Sequence, residues 1–177
     1  VDSYYTADIT RTLPINGKFT PTQRALYMLV YEAQLAGFAA VKPGAVFSDI
    51  NKACQEVLAK GLADMGVLTV SAEESMRPEV GLHRRWTLHG VSHHLGLDVH
   101  DAGEYKTFAK EWKQFQPGMT LTVEPGCYIR PSANIPKEFW NIGIRIEDDV
   151  LVTQNGYEVL TKDSPKTIES IEALMAK

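Results

Sequence analysis

Apolar positions along the chain change period near Met119. Before it, Leu26, Leu29, Val30 and Ala33 recur at helical spacing behind a Thr20-Pro21 start, and Lys42-Pro43-Gly44 stops the run, which predicts a helix to about Val41. A second amphipathic helix is predicted from Ser48, with Ile50, Ala53, Cys54, Val57, Leu58, Leu62 and Met65 on one stripe and Gly66 as its cap. Cys54 therefore reads as a small buried apolar residue. Residues 67–87 show no clear period, and Pro78 and Gly81 mark them as loop.

From Met119 the period is two. Leu121 and Val123 alternate with Thr120, Thr122 and Glu124 until Pro125-Gly126 breaks the run. After a loop at Pro131 to Pro136, Ile142, Ile144 and Ile146 alternate with Gly143, Arg145 and Glu147, and Val150 to Thr153 continue that strand beyond Asp148-Asp149. Asn155-Gly156 predicts a hairpin, and Ser164-Pro165 a last helix with Ile168, Ile171, Glu172 and Leu174 near its core edge. At the other end, Val1 to Thr10 reads as a strand with Tyr4, Thr6, Asp8 and Thr10 on one face. Early helices and late strands predict an α+β fold, a single domain whose curved antiparallel sheet carries helices on one face.

Composition narrows the functional classes. The 177 residues are 44% hydrophobic and 23% charged, ordinary for a globular domain, and 18 Lys and Arg against 22 Asp and Glu leave a net charge of −4. That balance argues against nucleic acid and against an anionic membrane surface as partners. No apolar run reaches the length of a membrane-spanning helix. Cys54 and Cys127 form no CxxC pair, which points to a reducing, cytoplasmic setting. The chain opens on Val1 rather than Met without a leader-like segment, so its natural N-terminus is expected to lie upstream.

All five histidines, His83, His89, His93, His94 and His100, fall in one stretch, and clustered imidazoles suggest metal or proton chemistry. His89 and His93 have the spacing of a zinc-protease helix, but Gly90 stands where that motif needs Glu. His93 and His100 reach one pocket only if the chain turns near Gly96. His83 reads as a structural or substrate-contacting residue, and His94 has no assigned role. Asp8, Glu124 and Glu147 each lie on the polar side of a period-two segment, so all three can project into one pocket. Asp148 and Asp149 read instead as solvated strand-end carboxylates. Converging carboxylates repel each other unless cations lie between them, and oxygen ligands with one imidazole suit Mn²⁺, Mg²⁺ or Co²⁺, with Zn²⁺ also admissible.

Four phrases carry a family resemblance: Asp8-Ile-Thr-Arg-Thr12, His89-Gly-Val-Ser-His93 through Val99-His100-Asp101, Thr122-Val-Glu124-Pro-Gly126, and Gly143-Ile-Arg-Ile-Glu147-Asp-Asp149. In order and spacing they resemble the pita-bread group of methionine aminopeptidase, prolidase and creatinase, and within it the catalytic domain of aminopeptidase P. The resemblance implies the pita-bread fold and a two-metal hydrolase, usually run with Mn²⁺, that removes the N-terminal residue of peptides with proline second. Co²⁺ and Zn²⁺ are the other ions it admits. By motif match Asp8, His93, Glu124 and Glu147 are metal ligands, Glu124 is also the base for the attacking water, and His89 and His100 are catalytic and bind substrate. Tyr128 and Arg145 fall in the substrate-binding neighbourhood. The family's first ligating aspartate lies upstream of Val1, and Asp2 has the wrong spacing to replace it. Residues 1–177 are thus expected to be one catalytic domain without its first strands and N-terminal domain, and the full-length protein a homo-oligomer. Prolidase, which cleaves dipeptides, and a non-catalytic peptide-binding module are the alternative readings.

Overall fold

The computed structural model describes residues 3–176. Val1 and Asp2, with the strand start and spacing argument that touch them, lie outside the described residues. Helix α1 spans Pro21–Ala40, and its start is a capping box: the Thr20 hydroxyl accepts from the Gln23 N–H while the Gln23 side chain accepts from the Thr20 N–H. Helix α2 spans Phe47–Asp64. Gly66 follows it at φ +70°, a left-handed conformation that a side chain would resist. Leu26, Leu29, Val30 and Ala33 of α1 and Ile50, Cys54, Leu58 and Leu62 of α2 are all buried, so the helical stripes face one core.

Residues 67–87 are not a simple loop. They hold the short helix α3, Ala72–Met76, capped by the Ser71 hydroxyl, and a 3-10 turn at Leu82–Arg85. A five-residue helix is too short to display an apolar period, which is why the pattern missed it.

Five strands follow: β1 Thr120–Val123, β2 Gly126–Ile129, β3 Ile142–Arg145, β4 Asp148–Val152 and β5 Tyr157–Val159. β1, β4 and β5 form one antiparallel sheet in that order, and β2 pairs with β3. Pro125-Gly126 does end β1, but β2 begins at once at Gly126. The expected strand from Ile142 to Thr153 is likewise two strands in two sheets. One cause serves both breaks: Pro125 has no N–H to donate, so the ladder opens opposite Ile146. The Asn155-Gly156 hairpin joins β4 to β5, with the Thr153 N–H donating to the Gly156 carbonyl. Helix α4 is Ile168–Met175, capped by Thr167 rather than by Ser164. Its Ile168 and Ile171 are buried, but Leu174 is 51% exposed.

Among the described residues, 3–9 form no strand. The segment runs extended and joins the sheet by an isolated bridge between Thr10 and Glu147. The larger correction concerns Asp148 and Asp149, at 0% and 3% exposure. Asp148 lies on the apolar face of its strand, where Arg11 and Lys166 reach it at 2.7 and 2.8 Å and Gln34 and Thr161 donate to it. A buried carboxylate with that many partners is stable where a lone one is not.

Helix α1 packs against the sheet through Gly37. A Cβ there would lie 2.7 Å from both Cys54 Sγ and Val123 Cγ1. Gly37→Ala is therefore expected to destabilise the protein by about 1–3 kcal/mol, read as a lower urea midpoint at unchanged slope.

Candidate metal centre

Strand register sets Glu124 opposite Glu147. β1 pairs with β4 as far as Val123 opposite Asp148, and β2 pairs with β3 from Gly126 opposite Arg145. The register is the same on both sides of the gap, so Glu124 and Glu147 face each other within it and project from one face. Two further extended segments complete the row. The Thr122 and Glu124 N–H groups donate to the His93 and Val91 carbonyls at 3.0 and 2.8 Å, which lays residues 91–95 beside β1. On the far side the Glu147 N–H donates to the Thr10 carbonyl at 3.0 Å, which brings in the segment carrying Asp8.

The four side chains meet at one atom. His93 Nε2 lies 3.4 Å from Asp8 Oδ2, 3.5 Å from Glu124 Oε1 and 4.0 Å from Glu147 Oε1. It is buried and has no hydrogen-bond partner. His93 Nδ1 lies 2.9 Å from the His94 carbonyl, which can only accept, so Nδ1 carries the proton and the Nε2 lone pair points at the carboxylates. An orphaned imidazole lone pair facing three acceptors is satisfied by a cation, and this donor set fits a divalent ion. One potential ligand atom each from His93, Glu124 and Glu147 lies within 4.8 Å of the others, and Asp8, His93 and His100 make a second such triplet.

Neighbouring side chains hold this arrangement. The Thr10 hydroxyl donates to Glu147 Oε2 at 2.5 Å, and Arg145 Nε donates to the same hydroxyl at 3.2 Å. The Asp149 carboxylate accepts from the Asp8 N–H at 3.2 Å. His89 donates through Nδ1 to the Gly90 carbonyl at 2.7 Å, so its Nε2 accepts the Tyr128 hydroxyl at 2.7 Å. His100 stacks edge-on to His93 with ring centres 4.3 Å apart, and its ring nitrogens have no hydrogen-bond partner among the described residues. A cavity of about 600 Å³ is lined by Asp8, His89, His93, His100, Glu124, Arg145 and Glu147, with Thr10, Tyr128 and Asp149 behind its walls. Every site residue expected from the sequence thus lies in or beside one pocket, whereas His83 and His94 lie outside it.

Sequence reasoning assigned no role to Thr10, Arg11 and Asp149. Thr10 and Asp149 were legible as same-face neighbours, each two residues from a candidate ligand. Arg11 gave no such signal, because its work is tertiary. Its guanidinium donates to the Thr10 and Glu147 carbonyls, to Asp148, and to the Ser164 and Pro165 carbonyls, using all five N–H groups.

Burial pushes the Glu124 carboxyl up to about 8, helped by the charges of Glu147 and Asp8 and opposed by Arg145. Burial raises Glu147 as well, and it raises Asp149 to about 6. Without a cation the pocket accordingly holds protons.

The chain belongs to metallopeptidase family M24, whose signature matches residues 1–154. Its relatives include Xaa-Pro aminopeptidases: that of Streptomyces coelicolor, number 2, is 48% identical over 99% of this chain and 37% of its own length. The Escherichia coli Xaa-Pro aminopeptidase is 43% identical over 97% of this chain and 38% of its own length. The chain thus spans less than two-fifths of these relatives. Among solved structures, the Pseudomonas aeruginosa aminopeptidase PepP superposes with a TM-score of 0.92 at 46% identity, covering 98% of this chain and 39% of that one. A zinc-substituted E. coli aminopeptidase P in complex with product gives 0.90 at 42% identity, covering 98% and 38%. The pita-bread fold expected from the motifs is the fold of this chain.

Two outcomes test this geometry. The folded, metal-free protein keeps a proton on Glu124 up to about pH 8, whereas the unfolded chain releases it near the ordinary glutamate value of 4.5. The native state therefore binds more protons between those values, and stability falls as pH rises through the window. Thermal melts in EDTA should show a midpoint lower by about 5 °C or more at pH 8 than at pH 5.5. Arg11→Met should cost about 3 kcal/mol in denaturant unfolding, because Asp148 stays buried with half its cationic partners gone.

Proposed function

We propose that this chain carries the metal-dependent catalytic centre of an Xaa-Pro aminopeptidase. The observation that carries the reading is His93 Nε2, buried without a partner and aimed at Asp8, Glu124 and Glu147. These four residues would hold divalent ions, two in the complete protein, with Mn²⁺ first and Co²⁺ or Zn²⁺ as alternatives. When bound, the ions supply an acidified water and a Lewis-acid hold on the scissile carbonyl.

The remaining work falls to the chain's own side chains. Glu124 carries a proton while no cation is present, and once a cation replaces that proton its carboxylate is placed to take the proton of the attacking water. His100 has unengaged ring nitrogens and stands beside His93, so it is the donor placed to bind the substrate carbonyl and the oxyanion that forms from it. His89 acts with Tyr128: their hydrogen bond aligns the phenol along the pocket wall, where Arg145 also reaches it. Arg145 further steadies Thr10 and, through it, Glu147. Peptides with proline in second position are the substrates of this reading, in a cytoplasmic and oligomeric full-length protein. None of the helices among the described residues is long and apolar enough to cross a membrane. Asp8, His93, Glu124 and Glu147 make one compact donor set, so residues 1–177 are expected to hold about one ion tightly.

Calorimetric Mn²⁺ titration should give about one tight equivalent for the 177-residue chain. His93→Ala should weaken binding by at least about tenfold, and Glu124→Gln by less. In protein extended upstream, both variants should lose hydrolysis of an Xaa-Pro tripeptide by at least about a hundredfold. A wild-type chain that takes up no Mn²⁺ would refute the reading.

A further inference from the structure

The register puts Pro125 opposite Ile146, in the gap between the Val123–Asp148 and Gly126–Arg145 pairs. The Ile146 N–H donates to the Pro125 carbonyl at 3.4 Å, one half of the two-bond exchange of an antiparallel pair. The return bond cannot form, because proline has no N–H. The Ile146 carbonyl therefore receives no backbone donor among the described residues. A side chain takes that place. Gln34, fully buried on α1, donates through Nε2 to the Ile146 carbonyl at 3.2 Å and to the Val123 carbonyl at 3.1 Å. Those two residues immediately precede Glu147 and Glu124, so one amide ties together, from the core side, the strands whose glutamates face the pocket. The amide is held in this sense at both ends. Lys166 Nζ donates to its Oε1 at 3.4 Å, and Asp148 Oδ2 accepts from its Nε2 at 3.0 Å. Gly37, one turn further along α1, brings the helix close enough for the reach, since a Cβ there would lie 2.7 Å from Val123 Cγ1.

We propose that Gln34 is a positioning residue for the metal centre: it replaces the rung that Pro125 omits and so sets the separation of Glu124 and Glu147. The proposal rests on the metal-centre reading above and adds to it a side chain that touches neither the pocket nor an ion. His93, Glu124 and Glu147 each offer a ligand atom, all within 4.8 Å of one another. A divalent ion holds its ligand distances to within about 0.2 Å, so a small widening between the two strands is felt in affinity. The backbone is least able to resist widening here. Two carboxylates facing each other repel until a cation is bound, and they do so where the ladder has lost a bond. An apolar side chain of the same length at position 34 would fill the space and leave the Val123 and Ile146 carbonyls without the donor that joins them. Gln34 also serves Asp148, but that service does not depend on what stands at position 125. Only the rung role makes the need for Gln34 depend on the proline.

The test measures Mn²⁺ affinity by calorimetry and the carbonyl ¹³C shift of Ile146 in EDTA, both well below the melting temperature of each variant, where circular dichroism shows the chain folded. Gln34→Met should weaken Mn²⁺ binding by about tenfold and move the Ile146 carbonyl upfield, as loss of a hydrogen bond does. Pro125→Ala supplies the missing backbone N–H. Alone it should leave affinity within about threefold of the parent, and combined with Gln34→Met it should restore both affinity and shift to near the parent values. If Gln34→Met does not fold, Gln34→Asn takes its place in every comparison, because it keeps the amide and withdraws it by one methylene. A folded Gln34 variant that binds Mn²⁺ as tightly as the parent overturns the proposal and leaves the metal-centre reading standing. A loss of affinity that Pro125→Ala does not restore also overturns it, and assigns the effect to Asp148 or to packing. A parent chain that takes up no Mn²⁺ overturns both readings.

Discussion

Three carboxylates and one imidazole are forced onto a single face by an uninterrupted antiparallel register. Glu124 opposes Glu147, Thr10 bridges Glu147, and the His93 segment pairs with β1. Like charges so placed in a partly buried pocket are unfavourable, and each neighbouring contact answers that repulsion. The Thr10 hydroxyl donates to Glu147, Arg145 lends positive charge, and burial holds protons on the acids until a cation replaces them. Next to Glu124, Pro125 withholds one N–H from the ladder, and the Ile146 N–H still donates to the Pro125 carbonyl at 3.4 Å.

The opposite face of the same strand supplies the anchor. Glu147, Asp148 and Asp149 alternate across it, so Asp148 enters the core while its neighbours face the pocket. Arg11 links the two sides, since the guanidinium that pairs with Asp148 also holds the Thr10 and Glu147 carbonyls. A one-residue slip of this strand would exchange the two faces and ruin both, so the site and the core demand the same register.

The histidines divide their work by what each ring nitrogen already touches. His93 has its Nδ1 tied to a carbonyl and its Nε2 free for a metal, His89 is tied at both nitrogens, and His100 at neither. His83 shows the His93 pattern in another setting, one nitrogen fixed and one open, facing a cavity with no carboxylate cluster.

Much of this was legible along the chain. Helices α1 and α2, the alternation around Leu121 and Ile144, the hairpin at Asn155-Gly156 and the short motifs holding Asp8, His93, Glu124 and Glu147 all depend on local periodicity or local spacing, which a sequence displays directly. The rest depends on which segments become neighbours. The sequence placed Asp148 and Asp149 in solvent because tandem acids at a strand end usually are solvated. Their burial depends on Arg11, Lys166 and the Asp8 N–H, all distant in sequence from one or both of them. The break of one expected strand into β3 and β4 comes from a proline on the strand opposite. The meeting of four ligands at His93 Nε2 follows from pairing across separate segments, Thr10 with Glu147 and His94 with Leu121 among them, and only the folded register decides it, because side-chain alternation tells which face a residue takes but not which residue stands across from it.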